Sequence, residues 1–483
     1  MFTAEDVNNF YIGGHFRAAS DPSHRYSVIS PATGMPVADV ADPTMAEVDV
    51  TVAAARRAFD EGPWPTMPIA ERAEYVRRLC DLFEAHLDEF SAAWRAESGP
   101  SITHTELLHG FVLALWRDLL ARAPEVVLED RRSLPGGDVD VLREPMGVAL
   151  IISTWNGPAL YIALKLVPAL LAGCTVIWKM AQESHLTARV LAKIIDEAGF
   201  PEGVISVLAA APDVSAALVD HPGVDKVSLT GGVVAGRSIM AAAAQRIASV
   251  TLELGGKSPA IVAGDIPLER ILPTLVPGFI AFQGQICVAL TRLIVPRARH
   301  DEIVDGVVDV LASLKIGDPE DPATVLGPLG TPRQLARTQE YVDSAHAQGA
   351  KLVLGGRRPA GLDQGFYYEP TVFTEVRPDM RIAQEEIFGP VLSVLSYDDF
   401  EDAIRIANGT DYGLAASVYT DDLELAERTA RRLQSGTVSL NDAGPSLFAP
   451  FGGYKMSGIG REGGATGMDE YLQYKSVRRS PAE

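Results

Sequence analysis

Apolar side chains recur at helical spacing over residues 44–60 (Val48, Val52, Ala55, Phe59) and 69–97 (Tyr75, Leu79, Leu82, Phe83, Leu87, Phe90), the interval at which one face of a helix repeats. Asp42-Pro43-Thr44 and Pro65-Thr66-Met67-Pro68 supply start signals for the two runs. From about residue 139 the pattern changes. Short apolar strands at 148–153, 175–179, 204–208 and 226–229 alternate with helices at 159–171, 185–198 and 213–219. That alternation predicts a parallel sheet with helices on its faces and ligands gathered where its strands end. The second half repeats the style, with helices at 300–313, 400–407 and 422–433 and strands at 351–354, 391–396 and 436–440. Two segments stand outside both patterns, roughly 123–142 and the tail from about 466. Val139-Asp140-Val141 and Tyr471-Leu472-Gln473-Tyr474 alternate as strands do. As unpaired strands they need a partner, and a sheet shared between subunits is expected.

The run from Pro158 to Trp178 is apolar enough to suggest a membrane span. Lys165, Pro168 and Gly173 break it, so a buried helix, a turn and a strand are expected instead. At 483 residues the chain exceeds one ordinary core, and two or three units are expected. A net charge of −21 argues against nucleic acid or an anionic membrane as partner, because phosphate surfaces require a basic face. The 3 cysteines cannot form a disulfide framework. The N-terminus has no signal-peptide pattern, and a cytoplasmic protein is expected. The 9 histidines lack metal-ligand spacing, so no catalytic metal is expected.

Candidate chemistry centres on Cys287, in Phe282-Gln283-Gly284-Gln285-Ile286-Cys287, and on Glu253, in Thr251-Leu252-Glu253-Leu254-Gly255-Gly256-Lys257. A thiol and a carboxylate are the two groups needed to trap an aldehyde covalently and hydrolyse the thioester that results. A free thiol of pKa about 8.5 needs help to ionise, and a short helix starting after Gly284 is expected to give it. Asn156, in Ser153-Thr154-Trp155-Asn156-Gly157-Pro158, is either an oxyanion donor with the Cys287 amide or simply a helix N-cap. Gly231, Gly232 and Gly236 lie between a strand and a helix; there they either admit a pyrophosphate or only make a tight turn. Lys179 ends a strand as a ribose contact or a solvated cation. Glu386 and Phe388 place a carboxylate two residues from an aromatic ring.

Taken together, the blocks E-L-G-G-K (253–257), G-Q-I-C (284–287), E-E-I-F-G-P (385–390) and P-F-G-G-Y-K-M-S-G (450–458) closely resemble those of the aldehyde dehydrogenase superfamily. The resemblance runs from about residue 10 to the C-terminus. It implies an α/β fold: a Rossmann-like parallel-sheet cofactor unit (1–122 and 143–255), a second α/β catalytic unit (256–465), and a small β oligomerisation segment (123–142 and 466–483). It also implies that Cys287 is the nucleophile, Glu253 the general base and Asn156 the oxyanion donor. Lys179 and Glu386 match the contacts to the two riboses, Phe388 packs near the nicotinamide, and Gly231 and Gly236 form the phosphate-side turn. Ser153, Thr154 and Trp155 belong to the same cofactor surface. The implied partners are a small aldehyde and further copies of the chain, as a homodimer or homotetramer. Coenzyme-A acylation is the near alternative, against which Glu253 counts. A non-catalytic binding protein of the same fold has no need of Cys287, Glu253 and Asn156 together.

The sequence departs from the superfamily's pattern in three places. Gln182 stands where many members have a Glu that holds the ribose diol and repels a 2′-phosphate. Glu183 is next door, so NAD is favoured and NADP stays open. Gly232 replaces a frequent Ser near the pyrophosphate. Gly157 and Leu164 replace an aromatic residue and a Trp, and relatives acting on dicarboxylic semialdehydes often have an Arg at the position of Leu164. With Tyr161, Ile286, Val288, Phe448 and Phe451 they imply a roomy apolar tunnel for a medium-size hydrophobic aldehyde, and Asp442 near its mouth disfavours anions.

Overall fold

The computed structural model describes residues 7–134 and 137–479. The strands Ser249–Glu253, Lys226–Thr230, Val148–Ile152, Thr175–Met180 and Ile205–Ala209 lie side by side in that order, all parallel. Gly458–Ile459 closes one edge antiparallel, and the hairpin Asn9–Ile12/His15–Ala18 closes the other. The central strands are buried on both faces, as parallel strands under helices must be. Alternation sorts their side chains. Val148, Leu150 and Ile152 pack with Val48, Val52 and Leu218 on one face. Ala149 and Ile151 pack on the other with Leu79, Leu170 and Leu191.

A second sheet runs Lys351–Leu354, Thr371–Thr374, Val391–Tyr397, Arg292–Pro296, Pro259–Val262, Ala415–Tyr419, Thr437–Leu440, parallel except at its first strand. The fold is therefore the mixed α/β class expected.

Three expectations need correction. The strands near 139–141 and 471–474 are not unpaired within the chain. Gly137–Pro145 pairs with Leu472–Arg478 and with Glu129–Leu134 in one antiparallel sheet of this chain. Cross-strand charge fixes the pairing, with Lys475 on Glu144 and Arg131 and Arg479 both on Asp140. The first of these strands also runs to Pro145, past the expected end at 142. The helical run 69–97 is two helices, Ile69–Ala85 and Leu87–Ser98, joined at His86. The helix expected over 159–171 contains a π turn at Ile162–Leu166. Pro168 has no N–H for the Leu164 carbonyl, so the ordinary bond is lost and the turn widens. No helix among the described residues is long and apolar enough to cross a membrane.

Candidate active site

Parallel pairing brings the first group of candidates to one edge. Ile152 is opposite Lys179 and Leu229, and Thr230 is opposite Glu253. The segments after these strands therefore emerge together. Strand order reverses between Val148–Ile152 and its two neighbours, the switch point where doubly wound sheets bind ligands. A cavity of about 610 Å³ lies there, lined by Ser153, Thr154 and Trp155, by Lys179, Gln182 and Glu183, and by Gly231 and Gly232. A dinucleotide fits this donor set. The helix Val233–Ala244 starts at the cavity with no side-chain cap, leaving its first N–H groups for an anion. Lys179 is 6% exposed and its ammonium donates to no residue among those described. A Cβ on Gly232 would meet nothing, so the missing hydroxyl leaves open space there. Gly236 is placed differently from the expectation. It does not line the cavity; a Cβ there would come within 2.7 Å of Leu254, so it serves helix-to-strand packing.

The second group converges on Cys287, which is half-buried. The expected helix after Gly284 is absent. A short 3-10 turn, Ala281–Gly284, ends before the thiol, and residues 285–291 form turns and extended chain. Phe282, Gln283 and Gly284 are all left-handed, with φ of 44°, 55° and 70°, a strained run that packing must hold. Phe282 is gripped by Trp94, His104 and Trp155, and His104 stacks on it at 5.3 Å. Gln285 accepts from the Gly330 N–H at 2.9 Å. Without a helix dipole, burial dominates, and the nearby Glu386 and Glu253 charges add to it. Together they push the thiol up to about 12 against the pull of the Cys287 and Val288 N–H groups.

Asn156 is not a helix cap. The helix Pro158–Tyr161 begins after Gly157 without a side-chain cap. The Asn156 Oδ1 accepts from Thr154 Oγ1 and from Tyr161 OH, the latter at 2.9 Å. Its Nδ2 donates to the Gln285 carbonyl at 2.8 Å, two residues before the thiol. Among the described residues nothing takes its other amide hydrogen, and the side chain is fixed.

Glu253 ends its strand 3% exposed, and neither carboxylate oxygen has a hydrogen-bond partner among the described residues. Burial, then the charge of Glu462, raises its carboxyl well above the ordinary range, opposed by Lys165 and Arg461. Gly452 closes the wall, since a Cβ there would come within 2.8 Å of Glu253 Oε1. Ser457 ties that loop down by donating to the Gly255 carbonyl at 2.7 Å. Gly256 is needed because a Cβ would collide with the Cys287 carbonyl.

Glu386 is handled differently. Its Oε1 accepts from the Gly256 N–H at 3.2 Å, and Gly255 leaves room for Oε2. Burial pushes this carboxyl up to about 7, with Arg337 and Lys257 opposing. Phe388, at φ 64°, sits edge-on to Trp155 at 5.9 Å.

Of the apolar candidates, Tyr161, Leu164 and Phe451 share one buried cluster, with Val288 packed against it. Gly157 is buried with only Leu160 near its missing Cβ. Phe448 is 38% exposed and meets Phe111 edge-on at 5.7 Å. Ile286 is not with them; it packs beside Trp94, Trp155 and Phe282. Asp442 is exposed and bonds the Ala443 N–H.

Sequence reasoning missed the buried ion pair Lys165–Glu462 next to Glu253, whose lysine also donates to Ser228 at 2.9 Å. A lone Lys in an apolar run was its only signal. It also missed the aromatic support of the Cys287 loop.

Comparison with known proteins agrees with this geometry. The sequence model of the aldehyde dehydrogenase family matches residues 16–477. Geranial dehydrogenase of Castellaniella defragrans is 38% identical over 474 residues, 98% of each chain. 3-Succinoylsemialdehyde-pyridine dehydrogenase of a Pseudomonas species is 39% identical over 474 residues, again 98% of each. The crystal structure of a Mycobacterium tuberculosis aldehyde dehydrogenase complexed with NAD+ superposes with a TM-score of 0.96 at 41% identity, covering 99% of each chain. Betaine aldehyde dehydrogenase of Staphylococcus aureus with NAD+ gives 0.94 at 32% identity, covering 98% of this chain and 94% of that one. The chain belongs to the aldehyde dehydrogenase family and is an NAD(P)-dependent aldehyde oxidoreductase.

Proposed function

We propose that the chain oxidises a medium-size hydrophobic aldehyde to its carboxylate with NAD, through a thioester on Cys287 that Glu253 hydrolyses. The observation that carries this reading is Glu253 itself, a buried carboxylate with no hydrogen-bond partner among the described residues, whose charge acts on the Cys287 thiol. Cys287 Sγ, on losing its proton, attacks the carbonyl carbon. The uncommitted Asn156 amide hydrogen and the Cys287 N–H stabilise the oxygen as it becomes negative. A bound oxidised nicotinamide would supply the acceptor for the hydride that the substrate carbon gives up as the oxyanion collapses. Glu386, anchored on Gly256, and Lys179 hold the two riboses. Collapse of the oxyanion leaves the acyl group on Sγ. Glu253 then takes a proton from water as that water attacks the thioester carbon, the C–S bond breaks, and the carboxylate product leaves.

The substrate class rests on Leu164, Tyr161, Val288 and Phe451, none of which pairs a carboxylate, and on the aromatic pair Phe111–Phe448. The relative named for geranial agrees with an apolar aldehyde. The units proposed for this work are a cofactor domain (1–122 and 143–255), a catalytic domain (256–465) and an oligomerisation element (123–142 and 466–483). The oligomer is proposed on surface grounds. Val234 (84% exposed), Met240 and Ile247 (93%) leave an apolar patch around the helix Val233–Ala244 that a second copy would cover. Free Cys80, Cys174 and Cys287 suit a reducing compartment, the cytoplasm.

The test is NADH formation at 340 nm on hydrophobic, short-chain and carboxylated aldehydes, for wild type and Cys287→Ala. Apolar aldehydes should win and the variant should be inactive. Preference for carboxylated semialdehydes would refute the substrate class, and cofactor reduction by the variant would refute the nucleophile.

A further inference from the structure

Tyr161 belongs to the apolar wall by its ring, but its hydroxyl faces the amide that holds the substrate oxygen. The ring packs in the buried cluster with Leu164, Phe451 and Val288, and the residue is 5% exposed. A buried phenol needs a partner for its O–H, and this one finds it inside the site. Tyr161 OH lies 2.9 Å from Asn156 Oδ1 and 2.6 Å from Thr154 Oγ1, which is itself 2.5 Å from the same Oδ1. Three oxygens thus meet at hydrogen-bond distance with two hydroxyl hydrogens among them. However those two are shared out within the triangle, the Tyr161 hydrogen reaches Oδ1 directly or through Thr154.

Nor is the amide free to turn over. Its Nδ2 donates to the Gln285 carbonyl at 2.8 Å, and a reversed amide would set Oδ1 against that carbonyl, two acceptors with no hydrogen between them. The backbone fixes the other side, because Tyr161 ends the helix Pro158–Tyr161 and the π turn begins at the next residue. Such turns recur at functional sites. Burial pushes the Tyr161 phenol up, with charge on Cys287 and Glu462 adding to it and the Thr154 bond opposing. The O–H therefore remains a donor while the thiol ionises.

Resting on the reading of Asn156 as the oxyanion donor, we infer that Tyr161 is a positioning residue for the attack of Cys287, its hydroxyl fixing and polarising the Asn156 amide. A hydrogen bond accepted at Oδ1 draws electron density toward that oxygen. The amide hydrogen left for the substrate becomes a stronger donor to an oxygen that is turning negative. Tyr161 acts through Asn156 alone, so its effect disappears when the amide is removed.

A double-mutant cycle on the full-length protein tests this, with wild type, Tyr161→Phe, Asn156→Ala and the double variant. The readout is the first-turnover rate of NADH formation, followed by stopped flow at 340 nm with saturating NAD and a range of octanal concentrations. Tyr161→Phe keeps the ring and its packing and removes one oxygen. Its limiting rate should fall about three- to tenfold, the worth of one hydrogen bond, while the half-saturating octanal concentration stays as in wild type. In the Asn156→Ala background the same change should cost less than about twofold. An equal loss in both backgrounds, an unchanged limiting rate, or a change confined to half-saturation overturns this role and leaves Tyr161 a pocket wall, while Asn156 keeps its own. An Asn156→Ala rate equal to that of wild type overturns the oxyanion reading and this inference with it.

Discussion

Glu253 and Glu386 both act on the Cys287 thiol, and both are raised above the ordinary carboxylate range chiefly by burial. They differ in what holds them. Glu386 accepts from the Gly256 backbone, and Arg337 donates to its carbonyl at 2.6 Å. Glu253 has no hydrogen bond at all among the described residues, and the charges that act on it most are Glu462, Lys165 and Arg461. A carboxylate fixed by donors serves as a clamp, whereas one left bare in a dry wall is free to exchange a proton. The same burial therefore yields a positioning group on one wall and an acid–base group on the other.

Four outcomes sharpen or break that contrast. The largest is Cys287→Ala, which removes the group both carboxylates act on; turnover at 340 nm should fall by about 10⁴-fold or more. Asn156→Ala removes the oriented amide and should cost about 10²–10³ in kcat, with a smaller change in KM. Glu386→Gln should lower kcat/KM by about 10–10² by loosening the clamp, and pre-steady-state traces should show no accumulated acyl-enzyme. If it accumulates acyl-enzyme instead, the two carboxylates are not divided as argued. The smallest effect concerns stability. The folded pKa of Glu253 is raised, so its favourable contribution is full below the unfolded value and fades as pH rises through the folded one. The Tm of Glu253→Gln minus that of wild type should therefore be more positive at pH 8 than at pH 5, by about 1–2 °C in a calorimetric scan.

The sequence made the βαβ order, the strand-end positions of Lys179 and Glu253 and the Cys287 segment legible, because apolar periodicity and glycine-rich blocks are local signals. What it hid was tertiary. Lys165 and Glu462 are 297 residues apart, and no pattern in either neighbourhood announces the other. The helix expected beside Cys287 yields to the left-handed run at Phe282 and Gln283, which the Trp94–His104–Trp155 contacts impose. Asn156 read as well for a cap as for an oxyanion donor, and only the bonds from Thr154 and Tyr161 decide its orientation. The strands at Gly137–Pro145 and Leu472–Arg478 looked unpaired because their partner is the other end of the chain.

The most direct measurement is a single-turnover reaction of Glu253→Gln with an apolar aldehyde and NAD, followed at 340 nm and by intact-protein and peptide mass spectrometry. The account requires about one NADH per active site in a burst, then slow turnover, with the acyl group found on Cys287. Steady turnover of Glu253→Gln at the wild-type rate, with no burst and no adduct on Cys287, would contradict it.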